Sequence, residues 1–492
     1  MVLSAALALP AMVGALLVIF GSALGARPAG WVAGAAAVGS AGLLWAGLVR
    51  SEVVDVLWVP DLGLRFALRA DGYSVPFVLL TSLVLILVVA HTAYEVPSGG
   101  SAGGYLGCVL LVGSGALTAF LAGDMVLFFL AFEVVLIPMW VLIGRWGDPH
   151  DLAARRDAAS RFLLYTAVGS TLMLVGILLL AHRRGSTAFT VDAVQGTGPR
   201  AVLIVLLLVL GLAIKLPVFP LHTWLPAAHT IAPTGGSVLL AAVLLKLGSY
   251  GLIRLPVLSA PEAFAVIAPW LGLAGGVGVV WGGLVCLAES DLKRLIAYSS
   301  VAHMGFVALA VSTGSQLGIQ AAIYSSIAHG LIASLLFILV GGLKHRWGSA
   351  SLTVAREPLR EVSPRLGAIL VLGLTASMGL PGLAGFWGEL LTLVAAWSPA
   401  PGRPRSVFVA SAIIAAVGAA LAAAYVVRVL RLVWLGDAVA GQRGRPIVRV
   451  DIRGVEWAVT AVLVAGIVWL GVYPYVLLDL TVVAPAGPAV AP

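Results

Sequence analysis

Of 492 residues, 61% are hydrophobic and 10% charged, a balance that excludes a soluble globular domain of this length and leaves lipid as the solvent. The net charge is +8, but the basic residues are scattered over many connections instead of gathered on one face, which argues against a nucleic-acid surface. Cys108 and Cys286 stand singly inside apolar runs, a placement that suits small core residues and not a zinc site, an iron–sulfur cluster or a disulfide framework.

Backbone polar groups in a bilayer core must be satisfied within a segment or within a closed barrel. The apolar runs here are about twenty residues long and do not alternate, so they predict helices and not barrel strands. In chain order they fall near 5–25, 31–48, 74–92, 105–122, 124–144, 161–182, 202–220, 232–254, 263–288, 294–313, 318–343, 366–397, 407–435 and 455–480, numbered here helices 1 to 14. The expected fold is an all-α polytopic membrane protein. The first run lacks a basic leader and a small-residue cleavage site, so it reads as a retained helix. Loops after odd-numbered helices hold 18 basic residues, among them Arg145, Arg356, Arg443, Arg445 and Arg449, and loops after even-numbered helices hold 9, Arg254 included. The positive-inside rule then puts the odd loops in the cytoplasm and both termini in the periplasm.

Two of the 29 basic residues belong to no loop, Lys215 and Lys246, and sorting the acids in the same way leaves Glu133 in helix 5 and Glu389 in helix 12. A charge at the bilayer centre costs on the order of 3 kcal/mol by insertion scales, so each should face a partner or a hydrated path. Two helices also look broken. Helix 7 carries Lys215-Leu-Pro217-Val-Phe-Pro220 and helix 12 carries Gly379-Leu-Pro381-Gly382, and interior proline removes a helical hydrogen bond and clashes with the preceding turn. The breaks lie five helices apart, so the segments run in opposite directions, as an inverted repeat of helices 4–8 and 9–13 requires. The chain divides accordingly into 1–104, 105–254, 255–440 and 441–492.

Burial and a nearby carboxylate act in opposite senses on a lysine's proton. Lys215 is therefore expected to be a switchable proton site with Glu133 as its carboxylate, against the plainer reading of a fixed interhelical ion pair. Lys246, among small and aliphatic residues, would relay, and His303 and His329 would extend the relay through their two ring nitrogens, although a lone helical histidine is more often a packing residue. Glu389, beyond the second break and read as the inverse counterpart of Lys215, would close the path. His222 and His229 flank Trp224-Leu-Pro226 and suit an ordering role at the helix 7–8 join. The Asp291–Arg294 run fits ordinary membrane-flanking charge. No dinucleotide, P-loop, haem or metal-spaced pattern occurs, so no cofactor or metal is expected on this chain.

Several stretches taken together resemble the proton-transporter family of respiratory complex I. They are Phe128-Phe-Leu-Ala-Phe-Glu133 through Pro138-Met-Trp, Lys215-Leu-Pro through His222-Thr-Trp-Leu-Pro226, Ala232-Pro-Thr-Gly-Gly-Ser-Val through Lys246-Leu-Gly-Ser-Tyr-Gly251, Lys293-Arg-Leu-Ile-Ala-Tyr through His303-Met-Gly305, and Gly379-Leu-Pro-Gly through Glu389. The likeness covers roughly residues 105–460. The Glu-x4-Pro-Met run is similar to M-type chains, which N-type chains do not share, and L-type chains carry a long C-terminal lateral helix for which 492 residues leave no room. The resemblance implies outward proton transport across a bacterial plasma membrane, coupled to quinone reduction elsewhere. It implies Glu133, Lys215, Lys246, His303, His329 and Glu389 as pathway residues. It also implies partner membrane subunits, neighbouring antiporter-like chains and lipids, with NADH, flavin, iron–sulfur clusters and quinone on other chains. A subunit of a multi-subunit cation/proton antiporter shares the same features, and a bare membrane scaffold is the reading without transport. Two departures from the family pattern, Ala227 where an acid is usual and Lys344-His345 where a tyrosine–acid pair is usual, touch loop contacts and not the membrane path.

Overall fold

The computed structural model describes residues 1–189, 193–354, 357–436 and 451–481. Each of the fourteen apolar stretches is helical. Among the described residues twelve helices are long and apolar enough to cross a bilayer, from Val2–Phe20 (helix 1) to Gly454–Val472 (helix 14). The two that fall short are the two that the sequence marks as broken, at Pro217 and Pro220 and at Gly379-Leu-Pro381-Gly382. Helix 7 was expected to reach residue 220 but spans Pro199–Lys215, and helix 12, expected as one element, is two helices, Pro364–Ser377 and Ala384–Trp397. Helix 6 runs longer than expected, over Leu152–Arg184.

One element departs from the all-α expectation. Val53–Val59 (β1) and Leu64–Arg69 (β2) pair antiparallel as a hairpin, with Asp55 opposite Ala67 and an Arg65 Nε to Asp55 Oδ1 hydrogen bond of 2.6 Å. Its turn closes on Gly63, whose φ of +64° is the left-handed conformation that glycine adopts without steric cost.

Helix 11 (Gln316–Trp347) is the central element. It is buried along almost its whole length and packs against helices 3, 8, 10, 12 and 14. Helix 8 (Thr234–Val257), buried on all sides, contains two π-helical segments, Leu240–Leu244 and Ile253–Val257. Lipid tails give helices no hydrophobic reason to associate, so close packing of small residues substitutes for it. Helices 9 (Pro261–Ala288) and 10 (Leu292–Ser312) cross at Gly275 and Gly305. A β-carbon on either would lie 2.6 Å from the other's carbonyl oxygen.

Several charges sit elsewhere than the loop assignment put them. Arg254 belongs to helix 8 and not to the connection after it. It pairs with Asp71, receives support from the Tyr250 hydroxyl at 3.0 Å, and lies over the ring of Tyr250 at 5.2 Å. Lys293 is buried in the first turn of helix 10, and its Nζ donates to the Ala232 carbonyl at 2.5 Å. Glu456, in the first turn of helix 14, is wholly buried and holds Arg346 through two hydrogen bonds of 3.0 and 2.6 Å. Arg356, Arg443, Arg445 and Arg449 lie outside the described residues.

The helix 9–10 crossing makes a direct prediction. Gly275→Ala should destabilise the protein by about 1–3 kcal/mol through overpacking, whereas Gly34→Ala, with nothing within 4 Å of the added carbon, should be neutral or slightly stabilising. Thermal unfolding of the two variants in the same detergent checks this, and equal behaviour would contradict the packing.

Candidate functional site

The first half of the site is built on two helix ends. Asp124 caps helix 5 by accepting from the amides of Val126 and Leu127 at 2.8 and 3.1 Å, and the Thr187 hydroxyl bonds its other oxygen at 2.5 Å. That anchors the segment Met125–Val134, which delivers Glu133 just before helix 5 jogs at Val135 and resumes as Leu136–Trp146. Helix 7 stops at Lys215 because Pro217 has no amide to donate. The amide of Val218 takes the Ala213 carbonyl at 2.9 Å instead, and the Trp224 indole donates to the Ile214 carbonyl at 3.0 Å. Carbonyls freed by the break are thus satisfied by the break's own residues, as a dry environment demands.

Lys215 is 1% exposed, and its ammonium lies 4.6 Å from the Phe132 ring centre and 5.7 Å from that of Phe162. Neither Lys215 Nζ nor Glu133 Oε1 has a hydrogen-bond partner among the described residues. Lys215 therefore lies alongside the turn that carries Glu133 without bonding to it. Aromatic faces give a cation roughly 0.5–2 kcal/mol, short of the several kcal/mol lost when an ammonium leaves water. The pair is not the fixed interhelical salt bridge of the plainer reading.

The second half is a row of neighbouring buried groups. Lys246 is fully buried between the two π segments of helix 8. Its Nζ donates to the Ala241 carbonyl at 2.6 Å and meets Nδ1 of His329, on helix 11, at 2.7 Å. His329 Nε2 has no hydrogen-bond partner among the described residues. The His329 ring stands 5.5 Å, centre to centre, from His303 on helix 10. His303 in turn holds the Ser377 hydroxyl at 3.0 Å through Nε2, and its Nδ1 lies 3.6 Å from Glu389 Oε1. His303, His329, Ser325 and Glu389 line a cavity of about 20 Å³, room for a water molecule with several polar partners.

The helix 12 break frames this end. Gly379 and Gly382 take φ of +76° and +90° around Pro381, and a β-carbon at Gly379 would lie 2.6 Å from Glu389 Oε2. In register with the prolines, Gly379 and not Glu389 stands where Lys215 stands in helix 7, and the carboxylate of Glu389 folds back into the space that glycine leaves.

The structure thus brings Lys246, His329, His303 and Glu389 together and sets Lys215 and Glu133 apart as a second group. The two groups approach through backbone. A β-carbon on Gly248 would lie 2.7 Å from the Leu216 amide nitrogen, so the Lys215 break seats two residues from Lys246. His229 is buried and stacked on Phe337 with ring centres 4.6 Å apart, and Trp224 is buried beside it in the join. Sequence reasoning missed Ser377, which carries no signal among many helical serines, and Lys293, which looked like a loop charge.

Lys293 opens on a polar vestibule of about 750 Å³ that also reaches Glu95, Asp148, Lys344 and His345. Burial pushes the Asp148 carboxyl up, but the hydrogen bond and charge of Lys344, with the His150 amide and ring, together outweigh it and leave the group below the usual carboxylate range. Glu95 behaves likewise, with burial overcome by His91, whose Nε2 stands 3.5 Å away, together with the charges of His345 and Lys293.

Comparison with known proteins identifies the family and the fold. The family described as NADH:quinone oxidoreductase/Mrp antiporter, TM, matches residues 122–415. NADH-quinone oxidoreductase subunit M of Pseudomonas aeruginosa is 37% identical over 444 residues, 88% of this chain and 84% of that one. A chain of respiratory complex I from Thermus thermophilus with bound NADH superposes with a TM-score of 0.84 at 29% identity, covering 98% of each chain. A chain of the Mrp complex from Dietzia sp. superposes with a TM-score of 0.85 at 26% identity, covering 98% of this chain and 52% of that one. With more than half its length matched, the chain belongs to the NADH:quinone oxidoreductase/Mrp antiporter transmembrane family.

Proposed function

We propose that this chain is the M-type, antiporter-like membrane subunit of a bacterial NADH–quinone oxidoreductase and moves protons outward across the plasma membrane. The observation that carries the reading is the succession of buried groups from Lys246 through His329 and His303 to Glu389, with a water-sized cavity lined by the two histidines and the carboxylate. Imidazole accepts a proton on one nitrogen and releases one from the other. A proton given up by Lys246 to Nδ1 of His329 can therefore leave from Nε2, pass through the cavity to His303, and reach Glu389. Lys215 and Glu133, close but unbonded, form the element whose separation sets the charge that Lys246 meets.

The enzyme activity belongs to the assembly. NADH, flavin, iron–sulfur clusters and quinone are placed on partner subunits, and this chain contributes translocation without redox chemistry of its own. Its partners are the other membrane subunits, neighbouring antiporter-like chains among them. Both termini face the periplasm in this reading, and residues 105–254 and 255–440 are the two inverted repeats, an arrangement supported by breaks at matching places in helices 7 and 12. The match to subunit M over 84% of its length favours this reading over a subunit of a cation/proton antiporter, which sodium-dependent transport without NADH oxidation would support.

Lys215→Ala, Glu133→Ala and Lys246→Ala should each lower proton pumping in inverted vesicles by about tenfold or more, the effect expected when a positioned proton donor or acceptor is lost. Assembly is verified by the complex's NADH oxidation with a soluble acceptor. Undiminished pumping in an assembled complex would reduce these residues to structural charges. Ser377→Ala should act more gently, slowing pumping by about two- to tenfold, because it removes one hydrogen bond worth roughly 0.5–1.5 kcal/mol from His303. A Ser377→Ala enzyme as impaired as Lys246→Ala would show that the serine carries the proton itself.

A further inference from the structure

A crevice lies between the second part of helix 5 and the start of helix 6, away from the proton line. Its volume is about 330 Å³, and it is lined by the apolar or small residues Trp140, Val141, Gly144 and Ala159 and by the polar Arg145, Arg156 and Ser160. That volume is within the range of small-ligand pockets, roughly 300–1,000 Å³. The notch exists because its floor is small. A β-carbon at Gly144 would make only ordinary contact, 3.6 Å from that of Ala159.

The charge balance of its polar lining is one-sided. Of the acids in the connection, Asp157 is taken by Arg161 at 2.8 Å, Asp151 caps the Ala154 amide at 2.8 Å, and Asp148 pairs with Lys344. Arg145 rests over the Trp146 ring at 5.3 Å, and neither it nor Arg156 has a carboxylate partner among the described residues, though both are exposed. Helix 6 has 33 residues, a length of about 50 Å against a hydrocarbon core of about 30 Å. Its first turns, with Arg156, therefore stand at headgroup level, and Trp140 lies one to two turns deeper along helix 5, where an amphipathic ring suits the interface.

We propose that this crevice is a binding site for an anionic phospholipid. Arg145 and Arg156 hold the phosphodiester, the Ser160 hydroxyl donates to it, and the first acyl segment lies in the notch over Gly144 and Ala159 against Trp140. Two guanidinium groups without an acidic partner complement a phosphate that keeps its negative charge, and they do not complement a zwitterionic headgroup whose own ammonium competes. The site stands independently of the transport reading, since pumping is not its readout.

Photo-crosslinking in native membranes tests it on the assembled protein. A phosphatidylglycerol with a diazirine near the glycerol end of one acyl chain is added in trace amount, and labelling of the segment 140–160 is read by mass spectrometry against unlabelled competitors. Phosphatidylglycerol should compete more effectively than phosphatidylcholine, by about fivefold for each arginine engaged. Arg145→Gln/Arg156→Gln should abolish that preference, and Gly144→Leu should abolish labelling by filling the notch. No labelling of this segment, equal competition by the two lipids, or an unchanged preference in the double variant would each overturn the proposal. Should the double variant fail to assemble, wild type in about 1 M salt, where charges are screened beyond about 3 Å, must lose the preference, and its persistence would be equally fatal.

Discussion

A buried polar group without a partner is the one expense that lipid does not forgive, and the architecture of this chain follows from how each such group is met. Backbone breaks come with their own replacements, such as the Trp224 indole on the Ile214 carbonyl. Most buried charges come with partners: Arg346 grips Glu456 with both arms, Arg254 has Asp71 and the Tyr250 hydroxyl, and Lys293 reaches the Ala232 carbonyl. Against that background the groups left incomplete stand out. Lys215 Nζ, Glu133 Oε1 and His329 Nε2 are among the buried side-chain atoms with no hydrogen-bond partner among the described residues; Lys215 lies where helix 7 breaks, Glu133 where helix 5 jogs, and His329 against the lysine between the π segments of helix 8.

The distinction separates two kinds of buried ion that composition alone counts together. A fully satisfied pair such as Arg346–Glu456 is held by geometry, and removing one member leaves the other uncompensated at a cost of about 3–5 kcal/mol. An unsatisfied lysine facing aromatic rings is held only by the helix that carries it. The first kind fixes how helices 11 and 14 pack. The second is tied to no other helix by a side-chain hydrogen bond among the described residues.

Much of this was legible in the sequence because the bilayer imposes length. Each apolar stretch became a helix, and Lys215, Lys246, Glu133 and Glu389 stood out as charges that no loop could claim. The proline breaks were readable for the same reason, and they explain why helices 7 and 12 fall short of a full span. What stayed hidden was whatever did not depend on a twenty-residue run. The β1–β2 hairpin is short, and its Val53-Val-Asp-Val-Leu-Trp-Val alternation and Asp61-Leu-Gly63 turn are strand signals lost in a search for helices. Arg254 and Lys293 were assigned to loops because sequence shows that a charge is near a helix end but not whether it points inward. The link from His303 to Ser377 joins residues 74 apart in sequence, and no local pattern could announce it.

The space at Gly379 has a mechanical meaning. The carboxylate of Glu389 rides on one half of helix 12 and fills a vacancy on the other half, while Ser377, at the end of that other half, steadies His303. The 3.6 Å gap between His303 and Glu389 is therefore spanned by two rods meeting at a joint, and it is longer than a hydrogen bond by only about 0.5 Å. A slide of one rod against the other by that small amount closes the contact or opens it, so under the proposed function the joint is a throttle, turning a displacement too small to repack any helix into the presence or absence of one link in the proton line.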